Sequence, residues 1–361
     1  MNHVAAAALA AVAAISVAPA MPEISAAPAA RLEIRTLPFV DLYFYVRALA
    51  VETEPVPELA GLREAVDAVR ALGKQLTSPA ALAPIEGAIA NCATAAEARE
   101  ATSSLPEKWD PRPGSHVMLR KLGTDIVAAI APAEPAFLEK VWPEHQGEVA
   151  AAMQRIDATF APKSQECLAY VAKSLGLAAG DLAIPVRLVA EMPFPGAVTQ
   201  RGQDDRGVCF VAVRGAEGTQ LFETILHEAT HALDVATPAP PADAPASSSG
   251  AAPEGSAPES VLADLRARLE KTGLTRADAA WRDVPHTLMF VQAGETIRRI
   301  VDERHEHYGT VARYYAKVQA IADVEIPAWT AFLDGKATRE ETLSRIVAAA
   351  KPSTKPARDP R

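Results

Sequence analysis

Apolar residues recur at helical spacing through the first half of the chain, from Phe39 to about Ser174. One run has them at positions 59, 62, 66, 69 and 72, and another at 149, 153 and 156. Steps of three and four residues put such side chains on one face of a helix, so the pattern predicts a helical region. The aromatic-rich segment 39–49 is predicted to be a helix or a strand packed inside the core. No internal repeat of fixed period is visible, which argues against a solenoid.

The pattern changes near Ile184, where short runs rich in β-branched residues begin. The runs IPVRLVAEM and GVCFVAV predict two strands, the second at Val208–Val213, with a Gly- and Asp-rich segment at 196–207 between them. After a short turn at 215–218, an amphipathic helix is predicted from about Thr219. Further helical patterns cover 261–271, 286–307, 311–332 and 340–349.

Three segments differ in composition from the rest of the chain. Residues 1–20 form a run of small apolar residues ending in Ala-Pro-Ala, which is typical of a signal peptide and its cleavage site. The segment 237–260 consists almost entirely of Pro, Ala, Ser and Gly, and it predicts a disordered insertion because it has too little apolar surface to bury. Residues 351–361 predict a flexible tail. These limits leave a helical region at 31–180 and a second unit at 181–350.

The leader indicates an exported protein, and the composition and strand patterns favour a fold that is mainly α with a small β-sheet (α+β). The 361 residues are 49% hydrophobic, which is enough for a large core, but only 5% aromatic, and their many Ala-rich runs favour helices. The formal charge of -9 and the scattered basic residues argue against nucleic acid as a partner. No stretch predicts stable membrane insertion after removal of the leader. We therefore expect a periplasmic or secreted protein whose oligomeric state the sequence leaves open.

The chain has three cysteines, at 92, 167 and 209. They are far apart and lack CxxC spacing, so they predict neither a zinc ribbon nor a disulfide-rich scaffold. Pairing among them in an oxidising compartment and burial as free thiols both remain open at this point.

The most informative feature is an HExxH motif, which runs from His227 through Glu228 to His231. On a helix, positions i and i+4 fall on one face a turn apart, so both imidazoles can reach one tetrahedral metal. Zn²⁺ suits such a site and lowers the pKa of a bound water to about 7. Glu228 would then stand beside the metal as a general base. The motif therefore predicts metal-assisted hydrolysis.

A catalytic zinc site normally has three protein ligands, so a further one must come from later in the chain. The extended form HExxHxxGxxH is excluded, because Asp234 and Thr237 stand where its Gly and third His would be. We favour Glu295, on a predicted helix whose Ala293 and Gly294 would let its backbone approach the motif helix. Asp234 is a candidate to orient one of the histidine ligands.

Other residues compete for these roles. His286 lies nine residues before Glu295, about 180° around an ideal helix, so the two could not both face one metal. The segment 303–307 (ERHEH) is dense in metal-binding types, but it is also typical of the charged end of a helix. The donor to a developing oxyanion is equally open. The candidates are His286, His307, Tyr308, Tyr314 and Tyr315.

From about Val208 to Asp302 the chain resembles the gluzincins, zincin metallopeptidases in which two His of HExxH and a Glu on a following helix bind zinc. Where many gluzincins have an Asp four residues after the ligand Glu, this chain has Arg299. The resemblance implies that the predicted strand 208–213 is the edge strand on which an extended peptide lies. It also implies four site residues: the zinc ligands His227, His231 and Glu295, and the general base Glu228.

Together these features predict a zinc-dependent hydrolase, a peptidase in which Glu228 deprotonates a zinc-activated water that attacks a peptide or protein substrate. Two alternatives remain. One is an exported helical binding protein with a structural metal or none, and the other is a zinc hydrolase of non-peptide substrates. The substrate and its cleavage preference depend on loops that the sequence does not place.

Overall fold

The computed structural model describes residues 30–52, 55–76, 79–112, 115–202, 206–237 and 260–350. The predicted signal peptide at 1–20 and tail at 351–361 lie outside these residues, as does most of the predicted insertion. The described part is mostly helical with a small mixed sheet, which confirms the predicted fold class. None of its helices combines the length and the apolar character that crossing a bilayer requires.

The strands in this part of the chain are β1 (Arg31–Arg35), β2 (Trp109–Arg112), β3 (Ser115–Val117), β4 (Ala183–Val189), β5 (Ala197–Arg201) and β6 (Gly207–Ala212). The α-helices are α1 (Pro38–Val51), α2 (Leu62–Gln75), α3 (Ala83–Ile89), α4 (Ala95–Ser103), α5 (Leu119–Ile130), α6 (Glu134–Lys140), α7 (Trp142–Arg155), α8 (Ala161–Leu175), α9 (Thr219–Ala236), α10 (Val261–Lys271), α11 (Ala279–Thr296), α12 (Tyr308–Val311), α13 (Tyr314–Lys317), α14 (Gln319–Leu333) and α15 (Arg339–Ala350). Short 3₁₀ segments lie at Pro79–Leu82 and Ala131–Ala133, and π-helical segments at Ile156–Phe160 and Ile297–Val301.

The main sheet has the strand order β1-β4-β6-β5. Strands β1, β4 and β6 are parallel, and β5 is antiparallel to β6. The two predicted strands are present as β4 and β6, whereas β5 lies in the segment 196–207 that was expected only to separate them. The expectation that the strand at 208–213 is the sheet edge is wrong, because β6 pairs with β4 on one side and with β5 on the other. The outer position next to β6 belongs to β5.

Both faces of this sheet are covered by helices. Along β6, Cys209 and Val211 point into one hydrophobic cluster, and Phe210 and Ala212 point into the other. The first cluster packs the sheet against α7, α8, α9 and α11, and the second packs it against α1 to α5. Burial on both faces explains why β6 is apolar throughout, since alternation in a strand appears only when one face meets water.

The aromatic-rich segment forms a helix, α1, and is buried almost throughout. Pro38 stands in its first turn, where the fixed φ of proline suits a helix start and the missing N–H costs no hydrogen bond. Asp41 is fully buried and accepts a hydrogen bond from the backbone N–H of Ala190 at the end of β4. The ring of His145 also contacts this carboxylate. These contacts fix α1 against the sheet.

Contacts cross the predicted boundary at residue 180, since β1 pairs with β4 and α8 packs on α9. The helical pattern at 311–332 is divided among α12, α13 and α14, because Arg313 has a φ of 56° that no continuous helix allows. The three cysteines are buried as free thiols, which answers the question of their pairing.

Candidate metal centre

The HExxH motif lies in the middle of α9, which packs on β5 and β6. Leu221, Ile225 and Leu233 bury one side of this helix in the first cluster. The packing is close at Gly207, where an added Cβ would stand 2.6 Å from the Cα of Ala232. The sheet therefore holds the motif helix in a defined position.

A third histidine joins the motif pair. His286 comes from α11, which packs against α9. Nε2 of His227 lies 3.2 Å from Nε2 of His231 and 3.2 Å from Nε2 of His286, and all three donor atoms are within 4.8 Å of one another. Tetrahedral bonds of about 2.0–2.1 Å from zinc to nitrogen would put two nitrogens about 3.3 Å apart. The cluster could therefore hold a metal ion.

The three imidazoles are held neutral, which is the form that binds metals. Burial lowers the pKa of His227 well below its usual range, and His231 and His286 lower it further. Burial also lowers the pKa of His231 to about 3, with help from His286 and Arg266, and it lowers the pKa of His286. Nδ1 of His227 is buried without a well-formed hydrogen bond to the described residues, although the backbone of Met289 opposes the fall in its pKa. The donor nitrogens are thus available at neutral pH.

Two aromatic side chains orient these rings. Phe290 stacks on the imidazole of His227, with the ring centroids 3.7 Å apart. The hydroxyl of Tyr314 lies 3.2 Å from Nδ1 of His286 and 3.2 Å from the hydroxyl of Thr287. A partner on Nδ1 fixes the orientation of the ring and leaves Nε2 for a metal. Tyr314 is therefore placed to orient His286.

Glu228 lies beside the cluster and outside the set of three nitrogens. Its Oε1 is 4.0 Å from Nε2 of His227, and its Oε2 accepts a hydrogen bond of 2.7 Å from the hydroxyl of Thr199 on β5. Burial raises the pKa of Glu228 to about 7, against the opposing effect of that hydroxyl. A carboxyl group with a pKa near neutrality can both take up and release a proton. No motif in the sequence marked Thr199, because its position depends on the pairing of β5 with β6.

The structure places Glu295 elsewhere. Its carboxylate accepts hydrogen bonds from the side chains of Arg298 and Arg299, and it lies 3.3 Å from Nε2 of His307. Burial raises the pKa of Glu295, but hydrogen bonds from His307 and Arg298 outweigh that effect and hold the pKa at about 2. Glu295 and His286 lie on opposite sides of α11, so only one of them can face α9. The structure brings His286 to that position.

Three other parts of the predicted site have contacts that differ from their predicted roles. The space at Gly294 admits the ring of His307, whose carbon atoms lie 2.6 Å from an ideal Cβ position, so this glycine does not serve the approach to α9. Asp234 forms an ion pair with Arg266 and orients no histidine ligand. His305 of the ERHEH segment contacts the buried carboxylate of Glu223.

The structure shows what the residues predicted as candidate oxyanion donors contact. The backbone N–H of Tyr308 donates to Glu223, and the hydroxyl of Tyr315 lies 3.4 Å from Nδ1 of His307. Of the five candidates, His286 becomes a member of the cluster, and Tyr314 contacts the cluster through His286.

Comparison with known proteins adds nothing to this geometry. No protein-family model, curated protein or solved structure matches the chain. The candidate site therefore rests on the motif and on the arrangement of its side chains.

A pocket of about 260 Å³ opens beside the cluster. His231 and His286 form part of its wall, together with Met289. Arg266 of α10 and Trp281 of α11 also line it, and the indole N–H of Trp281 is buried without a partner in the described residues. Larger pockets lie away from the histidines. The pocket therefore presents polar groups next to the histidine cluster.

Proposed function

We propose that this protein is a zinc-dependent hydrolase in which His227, His231 and His286 hold the metal. The observation that carries the proposal is the spacing of the three Nε2 atoms, 3.2 Å from His227 to each partner. Three protein ligands leave the fourth tetrahedral position for water, which is the arrangement of catalytic rather than structural zinc sites. The third ligand is a histidine, so the ligand set differs from the gluzincin pattern at this position.

Glu228 supplies the proton transfer in this proposal. When bound, zinc would lower the pKa of its water and polarise the carbonyl group of the substrate. Glu228 would take the proton from that water and return it to the leaving group, with Thr199 holding the carboxylate in place.

A peptide is the substrate that the surroundings of Glu228 favour. Thr199, which holds the carboxylate, belongs to the outer strand β5. An outer strand can bind an extended peptide through its main-chain groups, which would bring a peptide bond towards Glu228. The proposal therefore moves the peptide-binding edge from β6, where the sequence put it, to β5.

The test measures metal content and hydrolysis on the same preparations. We expect the purified protein to carry one zinc ion and to cleave a mixed peptide library. E228Q should retain the zinc and lose activity by about 10²- to 10⁴-fold, as expected for removal of a general base. E217Q is the matched control, because Glu217 is exposed just before α9.

Three results would contradict the proposal in different ways. A protein that binds no zinc has no metal centre of this kind. Full activity in E228Q would assign the base to another residue. Bound zinc with no hydrolysis of peptides or esters would indicate a binding protein with a structural metal.

A further inference from the structure

Two arginines face each other across adjacent strands on the side of the sheet opposite α9. Arg35 ends β1 and stands in register with Arg187 of β4. Both residues line a polar pocket of about 260 Å³, together with Glu33, Asn91 and Arg206. Like charges in directly opposed positions destabilise a sheet unless something between them compensates. The pair therefore needs a source of negative charge.

The neighbours of Arg187 hold its guanidinium in place without neutralising it. Its Nε–H donates to the carbonyl of Ala90, at the end of α3, and its NH2 group donates to the side-chain oxygen of Asn91. NH1 donates to the backbone oxygens of Glu33 and Val186. These bonds use four of the five N–H groups and leave one on NH2. The donor is thus fixed in position before any ligand arrives.

No carboxylate in the described residues forms a salt bridge with Arg187, although only 4% of this residue is exposed. Burial lowers its pKa, and the charge of Arg35 lowers it further. Glu33 lines the same pocket and opposes that fall, but its carboxylate is paired with Arg31. The charge on the buried guanidinium is compensated only in part, by carbonyl dipoles.

Arg35 is exposed and makes no hydrogen bond or ion pair with the described residues. Arg206 also lines the pocket, with interactions of its own. Two guanidinium groups therefore point at one polar space, one fixed and one free to adjust. Paired guanidinium groups match an oxyanion, because their N–H groups can bond two or more oxygens at once.

We propose that this pocket binds a doubly charged oxyanion, such as a phosphate group, between Arg187 and Arg35. Glu33 and Arg206 also line the pocket, but Glu33 is paired with Arg31 and Arg206 has interactions of its own. A dianion would balance the two remaining charges, those of Arg35 and Arg187, whereas a single carboxylate would leave one of them uncompensated. The site is separate from the metal centre, because Arg187 points towards α3 while the motif helix covers the other face of the sheet.

The test is calorimetric titration of the whole protein with inorganic phosphate at about pH 8, where phosphate is mostly doubly charged. Sodium chloride keeps the ionic strength constant, since exposed charges are screened by salt. We expect saturable binding of one phosphate. R35Q should weaken it by roughly tenfold to a hundredfold, the usual effect of losing a hydrogen bond to a charged group. R63Q, which removes an exposed arginine from α2, should leave it unchanged.

R35Q is preferred to a variant of Arg187, because Arg187 also holds the end of α3 and its loss could unfold the protein. Phosphate bound at the metal centre would be indifferent to R35Q, so equal binding by R35Q and the wild type overturns the proposal. The absence of phosphate binding by the wild type overturns it as well. Acetate is titrated in parallel, and acetate binding as tight as phosphate would overturn the preference for a dianion.

Discussion

Replacement of His286 by alanine is the most direct test of which residue completes the metal site. The sequence favoured Glu295, whereas the structure puts Nε2 of His286 3.2 Å from Nε2 of His227. The two residues stand on opposite sides of α11, so their variants separate the two ligand sets cleanly. H286A should lose zinc affinity, and E295Q should keep it.

The expected loss follows from the position of His286 in the cluster. Removing a partner that only orients a ligand usually weakens metal binding by 10- to 100-fold. His286 would donate directly, as one of three ligands, so its removal should cost at least about 100-fold in zinc affinity. At 1.4 kcal/mol for each factor of ten, that is about 3 kcal/mol. The partly exposed side chain is not a main part of the core, so the fold should survive.

The assay is competition for zinc between the protein and a chromophoric chelator at constant pH. Melting curves without metal show whether each variant is folded, and zinc should raise the melting temperature of the wild type and E295Q more than that of H286A. The reasoning is refuted if H286A binds zinc as tightly as the wild type while E295Q does not.

Three further predictions follow from contacts around the site. Hydrogen bonds from His307 and Arg298 outweigh the effect of burial and hold the pKa of Glu295 at about 2, below its usual 4.5. The charged form of Glu295 therefore stabilises the fold at neutral pH, and this contribution is lost as the pH falls from about 4.5 to 2. Denaturant unfolding at neutral pH should find E295Q less stable by about 1–2 kcal/mol, because solvent screens the partly exposed arginines that hold Glu295. The difference from the wild type should disappear in acid, and a difference that persists there would contradict the prediction. Y314F removes the hydroxyl beside Nδ1 of His286 and should weaken zinc binding by about 10- to 100-fold with little loss of stability. Unchanged zinc affinity would show that Tyr314 does not position the ring of His286. G207A places a Cβ 2.6 Å from the Cα of Ala232 and should lower the free energy of unfolding, measured by urea titration, by about 1–3 kcal/mol. An unchanged free energy of unfolding would mean that α9 can move away from β6 at little cost.

Local signals in the sequence determined a good part of this protein. The helical spacing of apolar residues, the β-branched runs and the HExxH motif each depend on residues a few positions apart. The structure has helices, two strands and the motif helix in the regions that these signals mark, although the helix predicted at 286–307 ends at Val301 and the one at 311–332 is divided at Arg313. The i and i+4 placement of His227 and His231 is a property of any helix, so it needed no tertiary information.

Tertiary structure decided the rest. Whether α11 turns His286 or Glu295 towards α9 depends on how the two helices pack, and the chemical types of the residues allowed either. Strand β5 was not predicted, because its pairing with β6 is a contact between two segments of the chain. For the same reason the sequence did not reveal that β5 is an outer strand or that Thr199 donates a hydrogen bond to Glu228. The opposition of Arg35 and Arg187 likewise joins residues that are far apart in the chain. Local spacing fixes which side chains share a face of one element, but only packing between elements fixes which faces meet.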